Sequence, residues 1–173
     1  MSVSTAIFTS VAANYLPKAR VLARSCKRVA PEVRFVLMLV DDAPQDFRLE
    51  AEPFDAVMTL NDLGLENQTA WAFTHTVVEL CTAVKGRAAK QLLAQPEVDR
   101  VFYFDPDMAV FGRFAELEQA LSETSILLTP HQSEPETTHE AIMDNEMASL
   151  KHGVFNMGFV GIADTAEGQR FAA

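Results

Sequence analysis

The sequence is poor in cysteine, with only Cys26 and Cys81 among its 173 residues. The two do not form a Cys-x-x-Cys pair and have no histidine partners, so their spacing supports neither a zinc site nor a redox motif. Both lie in apolar segments with helical spacing, and we interpret them as reduced core residues. A chain with reduced thiols is expected to be cytoplasmic.

Long apolar runs and basic residues are also scarce. No run reaches the ~18 residues of a membrane span, and residues 1–10 lack the basic start and cleavage site of a secretory signal. We therefore expect neither a transmembrane segment nor export. Lys and Arg number 14 against 24 Asp and Glu, a formal net charge of −10. This field repels polyanions, so we expect no nucleic-acid partner, and a phosphate ligand needs a metal ion or a well-placed cation.

Apolar residues are plentiful and follow an alternating pattern. They make up 49% of the chain, and the mean hydropathy is +0.05, which suits a single soluble domain over residues 1–173. The predicted strands are Thr5–Thr9, Val33–Val40, Ala56–Leu60, Val101–Phe104, Ile126–Leu128 and Val154–Ile162. The predicted helices are Asn14–Val29, Thr69–Ala94 with a break at Gly86, Phe114–Leu121 and Thr137–Leu150. Strands alternating with helices indicate an α/β fold with a mostly parallel sheet flanked by helices.

Asp105-Pro106-Asp107 follows the apolar strand Val101–Phe104. Ligands of open α/β sheets bind beyond the carboxyl ends of the strands, where this motif lies. Its two carboxylates are spaced to reach one hard cation, and Pro106 fixes the turn without adding a competing N–H. The motif therefore predicts an Mn²⁺ or Mg²⁺ site that bridges the phosphates of a nucleoside diphosphate.

Two other interpretations of the motif stay open at this point. A bare Asp-x-Asp usually marks a solvated turn. Phosphatases of the haloacid dehalogenase type also place a nucleophilic and an acid/base Asp after an apolar strand, which gives Asp105 and Asp107 an alternative role. In those enzymes the motif normally ends the first strand and is followed two residues on by Thr or Val, whereas here it follows the fourth strand and Ala109 takes that position.

Three segments together resemble bacterial glycosyltransferases with the GT-A fold, close to the glycogenin-like and lipopolysaccharide-galactosyltransferase-like retaining group. They are Ile7–Tyr15, the block Glu79–Lys85 ahead of Val101–Val110, and Val154–Gly161. The resemblance implies a hexosyltransferase that moves a sugar, with retention of configuration, from a nucleotide diphosphate sugar to a hydroxyl of a saccharide or glycoconjugate. It also implies a Rossmann-like GT-A sheet and a metal held by Asp105 and Asp107.

The resemblance assigns further residues to the nucleotide sugar. Base and ribose are expected at Thr9, Ser10, Asn14 and Tyr15. Lys85 is expected near the donor phosphates or sugar together with Asp105, and Asn156 and Gly158 are expected under the sugar.

Three of these residues also have a plainer interpretation. Asn14 is equally suited to cap the following helix, and Lys85 to be an ordinary surface lysine that Glu79 orients or does not. Asn156 is nearly as well explained by a bulge in an edge strand. His131 is expected at most to form part of a pocket wall.

The sequence pattern does not identify a catalytic base or nucleophile. In the resembled family a third metal ligand, commonly a histidine, and the acceptor-binding residues follow the Asn-x-Gly strand, which here means beyond Ala173. We therefore expect a donor-binding part that is truncated at its C-terminus, with an exposed surface that favours homo-oligomers. A non-catalytic nucleotide-binding fragment remains the third hypothesis.

Overall fold

The computed structural model describes residues 4–173, in which six strands form one sheet with the order β3-β2-β1-β4-β6-β5. The strands are β1 (Thr5–Val11), β2 (Arg34–Leu39), β3 (Ala56–Thr59), β4 (Arg100–Phe104), β5 (Ile126–Pro130) and β6 (Phe155–Ala163). The first four pair in parallel, whereas β6 runs antiparallel to both of its neighbours, β4 and β5. The predicted mostly parallel α/β sheet is confirmed, with each strand within about two residues of its predicted start.

The helices are α1 (Leu16–Val29), α2 (Gln68–Phe73), α3 (Val77–Ala83), α4 (Lys85–Leu93), α5 (Ala115–Glu123), α6 (His139–Ala141), α7 (Met147–His152) and α8 (Ala166–Phe171). Short 3₁₀ turns occur at Ala13–Tyr15, Leu49–Ala51 and Leu60–Leu63, and a π-helical turn, Ile142–Glu146, joins α6 to α7. None of the helices in this described part of the chain is long and apolar enough to cross a membrane.

The long helix predicted over residues 69–94 is three helices, and the break predicted at Gly86 lies two residues earlier, at Val84. Gly86 lies inside α4, whereas α3 starts afresh because Thr76 caps it and forms a capping box with Glu79. Phe73, at the end of α2, is 92% exposed. Of these three helices, only α4 contains fully buried residues, whereas α2 and α3 contact the core through partly buried side chains.

Period-2 alternation sends the strand side chains to two different cores. Ile7 and Phe102 pack on the α1 and α5 side of the sheet. Phe8 and Tyr103 pack on the other side, against α4, with their rings edge to face at 5.1 Å. Because the alternation continues to the strand ends, Ser10 of β1 follows Phe8 and Asp105 follows Tyr103, on the same side as α4.

β6 lies inside the sheet, so the edge-strand part of the alternative interpretation of Asn156 is wrong. The bulge itself is present, because the β5–β6 register jumps from Leu128 opposite Val160 to Thr129 opposite Asn156. The residues that the jump skips include Gly158, whose carbonyl accepts a hydrogen bond from the Asp105 amide at 2.8 Å. The bulge thus joins β6 to the end of β4.

Candidate functional site

A cavity of about 480 Å³ opens at the carboxyl ends of β1 and β4, beside α3. Three segments form its wall: the end of β1 with the following 3₁₀ turn, the α3–α4 junction, and the end of β4 with the following turn. The lining residues are Ser10, Val11, Ala12, Asn14, Tyr15, Val77, Val78, Cys81, Thr82, Lys85, Tyr103, Asp105, Pro106 and Asp107. Six of the residues predicted from the sequence therefore meet here: Ser10, Asn14, Tyr15, Lys85, Asp105 and Asp107.

Asp105 connects the β4 end of this cavity to its neighbours. Its Oδ1 accepts hydrogen bonds from the Tyr103 hydroxyl at 2.6 Å and from Lys85 Nζ at 3.1 Å. Within residues 4–173, Oδ2 receives no hydrogen bond, and the Asp105 side chain is 39% exposed. One carboxylate oxygen is therefore held by protein donors and the other stays available.

Lys85 is not an ordinary surface lysine, because its side chain is only 13% exposed. Besides Asp105, its Nζ donates to the Met157 carbonyl oxygen at 3.0 Å and lies 4.1 Å from the centre of the Tyr103 ring. These contacts join the first residue of α4 to β4 and to the β6 bulge. They fix an ammonium group at the cavity wall without leaving it to solvent.

Tyr103 and Ser10 supply buried hydroxyls behind Asp105. Burial, followed by the hydrogen bond to Asp105, raises the pKa of the Tyr103 phenol, so the group remains a protonated donor at all ordinary pH values. The Ser10 hydroxyl donates to the Cys81 carbonyl oxygen at 2.5 Å and lies 3.3 Å from the Tyr103 oxygen. Strand β1 is thereby tied to α3 and to β4 at the floor of the cavity.

A carboxylate after β2 holds the loop that carries Asn14 and Tyr15. Both oxygens of Asp41 accept from the Ala13 amide, at 2.8 and 3.1 Å. The residue at the cap position of α1 is Tyr15, so Asn14 does not cap that helix. Its side chain is exposed and borders the cavity, which leaves its amide available to a ligand.

Tyr15 stands half exposed at the cavity mouth, with 43% of its surface accessible. Lys18 Nζ lies 4.5 Å from the ring centre and covers one face. The flat aromatic surface that remains is suited to stack on a planar group.

Thr9 is not brought to this cavity. It is fully buried on the opposite side of β1, in line with Ile7 and Val11, because consecutive strand residues face opposite sides of the sheet. Within residues 4–173 its hydroxyl has no hydrogen-bond partner.

Asn156 and Gly158 lie beside the cavity without lining it. The Asn156 Oδ1 accepts from the Gly158 amide at 2.7 Å, so the side chain stabilises its own bulge. A Cβ at Gly158 would come within 3.0 Å of Asp105 Oδ2. A side chain at this position would therefore displace the available oxygen of Asp105, which lies directly against Gly158.

Several wall residues were not predicted from the sequence. Val77, Val78, Cys81 and Thr82 of α3 and Tyr103 of β4 all line the cavity. Two large apolar side chains exposed at the start of a helix, Val77 and Val78, are the one signal that suggests a binding surface. Cys81, predicted in the core, is only partly buried, whereas Cys26 is fully buried as predicted.

Two other sequence candidates have local structural roles. Glu79 accepts from the Thr76 amide at 2.8 Å, and this bond is the main reason why the pKa of its carboxyl is lowered. It caps α3, and Lys85 is instead oriented by Asp105. His131 contacts the Gly153 carbonyl oxygen through Nδ1 at 2.9 Å in a separate groove.

The donor set of the cavity suits a divalent cation that a ligand helps to coordinate. Asp105 and Asp107 both line the cavity, and Oδ2 of Asp105 carries no protein donor from residues 4–173. No group of three or more His, Cys, Asp or Glu side chains in that range is placed to hold a metal. Mg²⁺ and similar ions are commonly bound by one or two carboxylates, with phosphate oxygens and waters completing the shell. The residues therefore fit a cation shared with a phosphate ligand.

Comparisons with known proteins rest on the fold, because the sequence matches no protein-family model and no curated protein. The galactosyltransferase LgtC, solved with donor and acceptor sugar analogs, gives a TM-score of 0.56 at 15% identity over 92% of this chain and 58% of LgtC. The glycosyltransferase GlyE of Streptococcus pneumoniae TIGR4 gives 0.56 at 17% identity over 99% of this chain and 37% of GlyE.

A 4-diphosphocytidyl-2C-methyl-D-erythritol synthase from Anaerococcus prevotii is also similar, with a TM-score of 0.54 at 16% identity over 94% of this chain and 72% of the synthase. At such identities the likeness establishes the fold alone. The GT-A fold predicted from the sequence is thus confirmed. The chain spans less than two thirds of the length of LgtC and GlyE.

Proposed function

We propose that this chain is the donor-binding domain of a metal-dependent glycosyltransferase. It would bind a nucleotide diphosphate sugar and pass the hexosyl group, with retention, to a hydroxyl of a saccharide or glycoconjugate. The observation that carries the proposal is the joint position of Asp105, Asp107 and Lys85 in one cavity at the carboxyl ends of parallel strands of a GT-A sheet.

The base and ribose bind at the β1 end of the cavity in this proposal. Tyr15 stacks on the base with the face that Lys18 leaves open. Val77 and Val78 form the apolar wall of the cavity, and Asn14 supplies hydrogen bonds to the ribose or base. Thr9, which the resemblance had assigned to the donor, is left out because it is buried on the other side of the sheet.

The diphosphate binds at the β4 end. Lys85 contacts a phosphate or sugar oxygen while Asp105 and Asp107 hold Mn²⁺ or Mg²⁺. When bound, the ion supplies charge stabilisation to the departing diphosphate. Two carboxylates face one ammonium group here, so the protein alone presents a negative surface to a diphosphate. Binding of the donor should therefore depend on the cation.

The phosphatase alternative is not favoured. The solved structures that this chain resembles are named as glycosyltransferases and a synthase.

A thermal-shift panel tests the proposal. UDP, GDP, CDP and dTDP are each added with and without Mn²⁺. At a ligand concentration of about 100 times Kd, one of them should raise the Tm by about 5–10 °C, and only with the metal. Phosphate release from p-nitrophenyl phosphate with Mg²⁺ is measured in parallel. If no nucleotide shifts the Tm, the hypothesis of a fragment that does not bind nucleotides remains. If the protein releases phosphate and Asp105→Asn abolishes this release, the phosphatase alternative is favoured.

Gly158→Ala should weaken metal-dependent binding more than it weakens the fold. The new Cβ would lie 3.0 Å from Asp105 Oδ2 and 2.9 Å from Asn156 Oδ1, so both side chains must move. We expect about a tenfold loss in Mn²⁺–nucleotide affinity and a stability loss of about 1 kcal/mol. Calorimetric titration and urea unfolding measure the two.

Gly112→Ala is the matched control for this substitution, because a Cβ there has no neighbour within 4 Å. Gly112→Ala should change neither the Mn²⁺–nucleotide affinity nor the free energy of unfolding. Unchanged nucleotide affinity in Gly158→Ala would show that the available oxygen of Asp105 has no part in binding.

A further inference from the structure

The position of Tyr103 in the core requires its ring but not its hydroxyl. The ring is almost fully buried and packs against Phe8 at 5.1 Å. A phenylalanine would fill this space without bringing a polar atom into the core, where an unpaired hydroxyl is costly. The oxygen is satisfied by one strong contact, the 2.6 Å hydrogen bond to Asp105 Oδ1.

The direction of this hydrogen bond is fixed by its neighbours. The Ser10 proton is directed to the Cys81 carbonyl oxygen, at 2.5 Å. A carboxylate only accepts, so the single Tyr103 proton is donated to Asp105. Hydrogen bonds to a charged group are shorter and stronger than neutral ones, which agrees with the 2.6 Å distance.

Two donors converge on the same oxygen of Asp105. The Tyr103 hydroxyl reaches it from β4 and Lys85 Nζ reaches it from α4. Lys85 Nζ also lies 4.1 Å from the centre of the Tyr103 ring. The carboxylate is thereby held at Oδ1, and Oδ2 is left without a protein hydrogen bond from residues 4–173. A carboxylate held in this way loses little rotational freedom when a cation binds.

We propose that Tyr103 is a positioning residue for Asp105: with Lys85 it holds Oδ1 and so presents Oδ2 as the oxygen that receives a divalent cation. The inference rests on the proposed function of the cavity. It separates the two parts of the side chain, since the ring serves the core and the hydroxyl serves the carboxylate. Tyr103→Phe removes only the second part.

The test is a double-mutant cycle with two readouts. Wild type, Tyr103→Phe, Asp105→Ala and the double variant are unfolded in urea without ligand, and their Mn²⁺ affinity is measured by electron paramagnetic resonance, alone and with UDP. In the presence of Asp105, Tyr103→Phe should change the unfolding constant by about tenfold. In the Asp105→Ala background, the same Tyr103→Phe substitution should change the unfolding constant by less than about threefold. In addition, Tyr103→Phe should weaken Mn²⁺ binding by about tenfold.

Phe8→Leu is the control for a general loss of packing. Phe8 contacts the Tyr103 ring but does not line the cavity, so this variant should lose stability and keep its Mn²⁺ affinity. Should Asp105→Ala fail to fold, Asp105→Leu takes its place in the cycle, because it also lacks an acceptor for the Tyr103 proton.

Each outcome decides between the positioning role and a structural one. If the effects of Tyr103→Phe and Asp105→Ala on the free energy of unfolding are additive, the inference is overturned, because the hydroxyl then acts independently of Asp105. Coupled unfolding with unchanged Mn²⁺ affinity in Tyr103→Phe would overturn it too, since the pair would serve the fold alone. Wild type that binds no Mn²⁺, with or without UDP, would contradict the proposed function itself, and the positioning role with it, even if the unfolding cycle is coupled.

Discussion

Asp105→Asn and Asp107→Asn should each remove the metal dependence of nucleotide binding. With one of the two carboxylates gone, the cation loses a ligand and the affinity for Mn²⁺–nucleotide should fall by more than about tenfold, or 1.4 kcal/mol. The Tm increment that Mn²⁺ adds in wild type, about 5–10 °C, should then be largely lost. Thermal shift with and without Mn²⁺ measures both effects.

The response without metal makes this experiment more specific. Wild type places two carboxylates and one ammonium around the diphosphate, so replacing one Asp by Asn reduces the repulsion of the ligand. Metal-free nucleotide affinity should therefore stay constant or rise slightly in both variants. Asp46→Asn, in an exposed loop away from the cavity, is the matched control and should behave as wild type. A variant that loses metal-free and metal-dependent binding equally would indicate that Asp105 or Asp107 contacts the nucleotide directly.

The sheet and its ligand-binding edge were predictable because their signals are local. Val33–Val40 is apolar except for Arg34, and its residues from Phe35 onward are buried on both faces of the sheet. Asp105 follows a second apolar run, so both strands and the position of the motif could be predicted from hydropathy alone. Strand alternation also determines which residues share a side. Ser10 faces the same side of the sheet as Phe8, whereas Thr9 faces the opposite side. What alternation cannot give is the side on which the cavity forms, so it could not correct the resemblance, which assigns both Thr9 and Ser10 to the donor.

The rest of the cavity depends on contacts between segments far apart in sequence. Asn14 has no capping role because it lies in a 3₁₀ turn and the cap position of α1 falls at Tyr15. The first amide of this turn, that of Ala13, is held by Asp41, 28 residues along the chain. Glu79 was equally consistent with orienting Lys85, and only the observed capping box excludes that. The interior position of β6 follows from its pairing with both β4 and β5. Such partners are set by tertiary packing, which no local pattern specifies.

Lys85 connects these long-range features, and its contacts lead to opposite expectations for two ligands. The ammonium lies 3.1 Å from Asp105 Oδ1, so a metal ion bound to the same carboxylate experiences its repulsion, on the order of 1 kcal/mol even in water. Toward a diphosphate the same charge is attractive. The balance between the two effects depends on whether the ligand brings its own negative charge to the cavity.

Lys85→Met should therefore raise the affinity for free Mn²⁺ and lower the affinity for Mn²⁺–nucleotide. Methionine preserves the apolar stem but removes the donor to Asp105 and to the Met157 carbonyl oxygen, so we also expect a stability loss of about 1 kcal/mol. Free Mn²⁺ should bind about threefold to tenfold more tightly, because the relief of repulsion outweighs the loss of one of the two donors that hold Oδ1. Mn²⁺–nucleotide should bind at least about tenfold more weakly. Electron paramagnetic resonance and calorimetric titration measure the two affinities.

Lys90→Met is the matched control, because Lys90 belongs to the same helix, is exposed and does not line the cavity. It changes the net charge by the same amount and should leave both affinities unchanged. A parallel loss of Mn²⁺ and Mn²⁺–nucleotide affinity in Lys85→Met would show that Lys85 mainly holds the end of β4 in place. Opposite changes arise only if the ammonium shares Asp105 with the metal and also faces the diphosphate, which is the arrangement that the proposed donor site requires.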